Sequence, residues 1–116
     1  MNNALELSVQ LNKSIKESDE YKSYQYCKNM LRGKPEKLER FMEFRKKNYE
    51  IQTNEMLDNP YDEVNNLFME YDTIVHDTIV NDFIRSEQKL MKMMRKLYEN
   101  IAEDLDFDII EEEDMY

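Results

Sequence analysis

Hydrophobic residues recur along this chain at steps of three and four, the period of an amphipathic helix. Five helical segments follow from that period and from the residues that start and stop helices. The first covers residues 3–16, with Ala4, Ser8, Leu11 and Ile15 on one face and Leu5 beside them. Ser18 then offers a hydroxyl to a free first-turn N–H, and Asp19 and Glu20 suit the positive start of a second helix. Tyr21, Tyr24, Cys27 and Leu31 form its stripe, and Gly33 is expected to close it as a left-handed cap.

Pro35 opens a third helix, expected to reach about Glu55, whose Leu38, Phe41, Met42, Phe44, Tyr49 and Ile51 cover more than one seam. Asn59 and Pro60 repeat the cap-and-proline start for a fourth, striped by Val64, Leu67, Phe68 and Tyr71. Asp77 caps the fifth and Thr78 opens it. Val80, Phe83, Glu87, Leu90, Met94, Leu97 and Ile101 then recur at three-four spacing, with Ile84, Met91, Tyr98 and Leu105 widening the stripe. Carried through Leu105, that helix is roughly 40 Å long at about 1.5 Å per residue. It outruns a compact globule of this size, and a second copy of the chain is the simplest cover for its surplus apolar surface. The expected fold is all-α: an elongated antiparallel bundle of about five helices, dimeric.

Composition sharpens this. One glycine and two prolines in 116 residues leave few turns for sheets, and 36% charged residues against 41% hydrophobic ones give a thin core. The length suits one domain, expected over residues 1–105, followed by an acidic tail over 106–116. The net charge of −10 is concentrated towards the C-terminal end: residues 103–116 hold eight acids and no base. That tail repels phosphate backbones; it reads as a solvated end, or as a docking segment because Phe107, Ile109 and Ile110 interrupt the acids. No apolar run is long enough to span a membrane, the N-terminus lacks a signal-peptide pattern, and a lone cysteine makes no internal disulfide. A cytoplasmic protein is expected.

Candidate chemistry is sparse. His76 has Thr73 three residues before it, so the Glu-x-x-His pattern of di-iron bundles is missing, and no phosphate-binding or dinucleotide glycine motif occurs. His76 reads as a loop or capping residue and Cys27 as a small core residue. No catalytic residue, metal ligand or cofactor is expected. Glu87 interrupts the apolar stripe of the longest helix and needs a partner, for which Arg45, Tyr21 and Tyr24 are available; it either fixes helix register or belongs to a partner-facing site. Candidates for a dimer or partner interface are Phe41, Phe44, Phe83, Glu87, Leu90, Met91, Met94 and Leu97. Arg85, Lys89, Lys92 and Lys96 make a basic ridge, either solvated or able to contact RNA.

Three segments together resemble the YlbF/YmcA family. IKESDEYKSY (15–24) carries a helix-ending isoleucine, a serine cap and a Glu-Tyr pair followed by another tyrosine; KPEKLERFMEFRKKN (34–48) is similar to the family's proline-led helix opening; VNDFIRSEQKL (80–90) resembles its second signature. Ser18, Glu20, Tyr21, Tyr24 and Glu87 stand at the signature positions. The resemblance implies a non-enzymatic helical regulator, associated with itself or with a paralogue, and working with a PSP1-domain protein to steer RNase Y in messenger processing, with effects on competence, biofilm formation and sporulation. Some relatives carry cysteines tied to iron–sulfur clusters; Cys27 alone cannot hold one. A direct RNA binder and a purely structural dimerisation module remain the alternative readings.

Overall fold

The computed structural model describes residues 2–106 and is built from helices alone over that range. Their order is α1 (Asn3–Glu17), α2 (Asp19–Arg32), α3 (Pro35–Thr53), α4 (Pro60–Glu70), α5 (Asp72–Val75) and α6 (Thr78–Ala102). From Phe107 onward, the expected acidic tail lies outside the described residues.

The caps read from the sequence hold the helix starts. Ser18 Oγ accepts from Tyr21 N–H at 3.1 Å, Asn59 Oδ1 from Asp62 N–H at 3.3 Å, and Asp77 Oδ1 from Val80 N–H at 3.0 Å. Ser18 also donates its hydroxyl to Ile15 C=O at 2.6 Å, so one residue ends α1 and begins α2.

Three expectations need correction. Gly33 does not adopt a left-handed cap: its φ is −69° and ψ −7°, ordinary right-handed geometry, with its N–H bonded to Asn29 C=O. Six helices replace five, because the chain breaks at Tyr71 and makes one further turn, α5, before α6. Tyr71 C=O accepts from both Ile74 N–H and Val75 N–H, and the Tyr71 ring is drawn into the core, so packing sets this break where no glycine or proline marks it. Finally, α6 stops at Ala102 rather than Leu105. Asp104 takes φ 61°, and Leu105 N–H returns to Ala102 C=O at 3.1 Å, which makes a type II turn with Glu103 at φ −56°, ψ 128°.

The core gathers Leu31, Phe41, Phe44, Leu67, Tyr71, Ile74, Val80 and Phe83. Its aromatic joints are specific: Phe41 meets Phe83 edge-on with centroids 5.9 Å apart, Phe44 meets Phe68 at 5.2 Å, and Tyr24 lies against Phe83 at 5.6 Å. α2 packs most extensively on α6. The pairs Lys37–Asp77, Phe41–Phe83 and Arg45–Glu87 advance in the same sense on both helices, so α3 and α6 run side by side in one direction. The body is elongated and thin, 53 × 44 × 18 Å, with a radius of gyration of 19.6 Å. A compact chain of this length has about 13 Å. α1 is the extreme case, since none of its residues is buried.

Candidate functional site

Three features of the surface carry chemistry, and each is positioned by α6. The first is the apolar stripe. Val80, Phe83 and Leu90 face the core and are buried, together with Ser86. Among the described residues, nothing covers the stripe where it runs on past the start of α2. Met91 and Met94 stand exposed, and Tyr98 and Ile101 keep 67% and 60% of their surface in water. Leu5, Leu7 and Val9 on α1 are exposed as well. Of the residues expected at an interface, Phe41, Phe44, Phe83 and Leu90 spend their apolar surface inside the chain, Phe41 and Phe83 against each other and Phe44 against Phe68 and Tyr71. Met91 and Met94 keep theirs, and Leu97 is half-buried. Tyr98 and Ile101 are visible in the periodicity, but their exposure depends on where α2 begins, since its first turns lie beside the second half of α6.

The second feature is a charged clasp between α3 and α6. Glu87 is held by Arg45 through both guanidinium nitrogens, at 3.1 and 3.2 Å. Arg45 also lies 5.1 Å from the Phe41 ring centroid. Glu87 keeps 25% of its side chain exposed and Arg45 47%, so the pair sits at the rim of the core. Nearer the start of α6, Lys37 reaches Asp77 at 2.6 Å. Burial pushes the Asp77 carboxyl up, but the Lys37 bond and the Val80 N–H outweigh it and hold it below the ordinary carboxylate value. At the α3–α4 seam the Tyr71 ring lies between Arg40, 4.2 Å from its centroid, and Lys47, 5.2 Å away. A hydrogen bond with Tyr71 and the nearby Glu70 raise Lys47 above the usual lysine value.

The third feature is a cleft of about 640 Å³ between the start of α2 and the second half of α6. Lys89, Lys92 and Lys96 stand along it, Met93 and Leu97 give it apolar surface, and Asp19, Glu20 and Ser23 form the α2 side. Arg85, expected on the same ridge, is taken up by Asp82 one turn earlier, at 2.5 Å. Four of the five signature residues lie in the first half of α2 or cap it: Ser18 caps the helix, Glu20 lines the cleft, and Tyr21 and Tyr24 are half-buried along the helix, Tyr24 against Phe83; the fifth, Glu87, is on α6, held by Arg45. His76 ends α5, exposed, with Nδ1 2.9 Å from Asp72 C=O. Cys27 is half-buried against the core. Among the described residues, no group of three or more histidine, cysteine or acidic side chains is placed to hold a metal ion, and no helix is long and apolar enough to cross a membrane.

A thin helical body with a capped α1–α2 corner, an Arg–Glu clasp and an unpartnered α6 end defines a helical protein that offers faces rather than an enclosed pocket. The chain belongs to the family described as control of competence regulator ComK, YlbF/YmcA, which matches residues 4–106. It is also similar to the UPF0342 protein STH1710 of Symbiobacterium thermophilum, at 28% identity over 101 residues, covering 85% of this chain and 90% of the relative. No solved structure matches it.

Proposed function

We propose that this chain is a non-enzymatic regulatory adaptor that acts in the cytoplasm through protein–protein contacts, joined to a second copy or a paralogue through the open end of α6. The observation that carries this reading is the continuation of the apolar stripe beyond Leu90 with no covering helix among the described residues. Met91, Met94, Tyr98 and Ile101 lie within three turns of one helix, and the exposed leucines and valine of α1 add to the area available. Association between such faces is driven by apolar burial at about 25 cal/mol per Å², with aromatic and methionine side chains as anchors. Charges at the rim then select the partner. Family membership supports a regulatory role. A PSP1-domain protein and RNase Y are the partners this reading names.

The test replaces Met94 and Ile101 together with glutamate in the full-length chain. Light scattering should show the parent as a dimer and the variant as a monomer with unchanged helical circular dichroism. Affinity capture from cells should recover an RNase or a PSP1-domain protein with the parent and lose it with the variant. A parent chain that stays monomeric at high concentration and recovers no partner removes the proposal. Self-association alone, with nothing else recovered, indicates a structural dimerisation module instead. Direct RNA binding has less support: Arg85 is engaged by Asp82, and the chain carries a net charge of −10.

A further inference from the structure

We propose that the cleft between α2 and α6 is a receptor for the chain's own acidic C-terminal segment, residues 107–114. The cleft combines two chemistries. Lys89, Lys92 and Lys96 recur at helical spacing on one wall, while Met93 and Leu97 give it an apolar floor. Among the described residues, none of those three lysines has an ion-pair partner, although other basic side chains of the body do. Asp19 and Glu20 on the opposite wall belong to the first turn of α2, where the helix N-terminus offsets their charge. The lysine wall is therefore the side left to be neutralised.

The segment has the complementary composition. Residues 107–114 carry five acids and no base, and Phe107, Ile109 and Ile110 alternate with or adjoin them. Such a sequence offers apolar side chains to Met93 and Leu97 and carboxylates to the lysines. The end of α6 supplies the direction. Its type II turn, with Asp104 at φ 61° and Leu105 N–H bonded to Ala102 C=O, reverses the chain immediately after the helix. Reach is ample: Lys89 lies thirteen residues before the end of α6, roughly 20 Å at about 1.5 Å per residue. Ten residues span up to about 33 Å when extended. Tethering gives the segment an effective concentration on the order of millimolar, so weak individual contacts suffice to fill the cleft. An acidic, apolar-studded segment of another protein would then have to displace the tail.

Paramagnetic relaxation in the full-length chain tests this without reference to any partner. A nitroxide is attached at Glu113→Cys in a Cys27→Ala background, and ¹⁵N signals are compared before and after reduction of the label. In low salt, the amides of Lys92, Met93 and Lys96 should lose at least half their intensity. Moving to 0.5 M salt should restore part of it. The triple variant Lys89→Glu, Lys92→Glu, Lys96→Glu should restore all of it at unchanged helical content. If that variant unfolds, Lys92→Gln with Lys96→Gln serves the same purpose and should restore most of the signal. Undiminished cleft amides overturn the proposal. So does broadening seen only when nitroxide-bearing chains are mixed with separate ¹⁵N chains, which places a neighbour's tail there instead.

Discussion

Breaking the Arg45–Glu87 clasp asks whether Glu87 serves the fold or a partner. Glu87→Gln keeps the side chain's size and removes its charge, while Arg45→Gln removes the guanidinium and its contact with the Phe41 ring. The geometry is two-pronged, which places the pair at the strong end of surface ion pairs. Arg45 is nearly half exposed, however, and water screens it. The coupling in a double-mutant cycle should therefore be about 0.5–1 kcal/mol. Arg45→Gln alone should cost slightly more than Glu87→Gln, because the ring contact is worth a further ~0.5 kcal/mol. An unfolding entropy of about 2.1 cal/mol/K per residue converts ~1 kcal/mol into roughly 4 °C for a chain of 116 residues. Thermal melts of the four proteins at one fixed concentration, repeated in 0.5 M salt, measure this. A coupling indistinguishable from zero in low salt would refute the view that the clasp fixes α3 against α6. If Glu87→Gln melts like the parent but no longer recovers partners, the carboxylate belongs to the binding face.

Other outcomes follow from single residues. Phe41→Ala removes a ring that is 2% exposed and joined edge-on to Phe83, so it should cost about 3–5 kcal/mol; urea titration that moved by less than ~1 kcal/mol would contradict the core assignment. Gly33→Ala should stabilise by about 0.4–1 kcal/mol, since φ is −69° and an added Cβ would meet Met30 C=O at 3.4 Å; a lower melting temperature would restore a special role for the glycine. Asp77 is held below its ordinary value of 3.8, so its contribution is complete above that pH and is lost as the pH falls through the lowered folded value. Acid melts of Asp77→Asn should accordingly lose less stability below pH ~4 than the parent does.

Much of this architecture is legible in the chain because helix starts are local chemistry. Ser18, Asn59 and Asp77 cap the helices the sequence assigns to them, since each hydroxyl, amide or carboxylate needs only an N–H two or three residues on. What depends on distant neighbours is harder to read. The break at Tyr71 follows from where its ring packs, between Arg40 and Lys47, and the end of α6 follows from a left-handed aspartate that composition does not announce. The same limit governs the site. Periodicity puts Phe83, Leu90 and Met94 in one stripe, yet only packing against the neighbouring helices decides that the first two are buried and the last is surface. Glu87 stands out in the sequence as a charge amid an apolar stripe, with Arg45, Tyr21 and Tyr24 as available partners, and the structure joins it to Arg45.

The corner at Ser18 bears on how this protein comes apart. α1 buries none of its side chains and is joined to the remainder through a single bridging residue, so its opening need not disturb the aromatic centre. Amides in the first fifteen or so positions should then exchange with solvent far faster than those around Phe83, and proteases should trim the arm while leaving a folded remnant. Docking α1 against another molecule would remove that difference, which makes its protection a direct gauge of assembly.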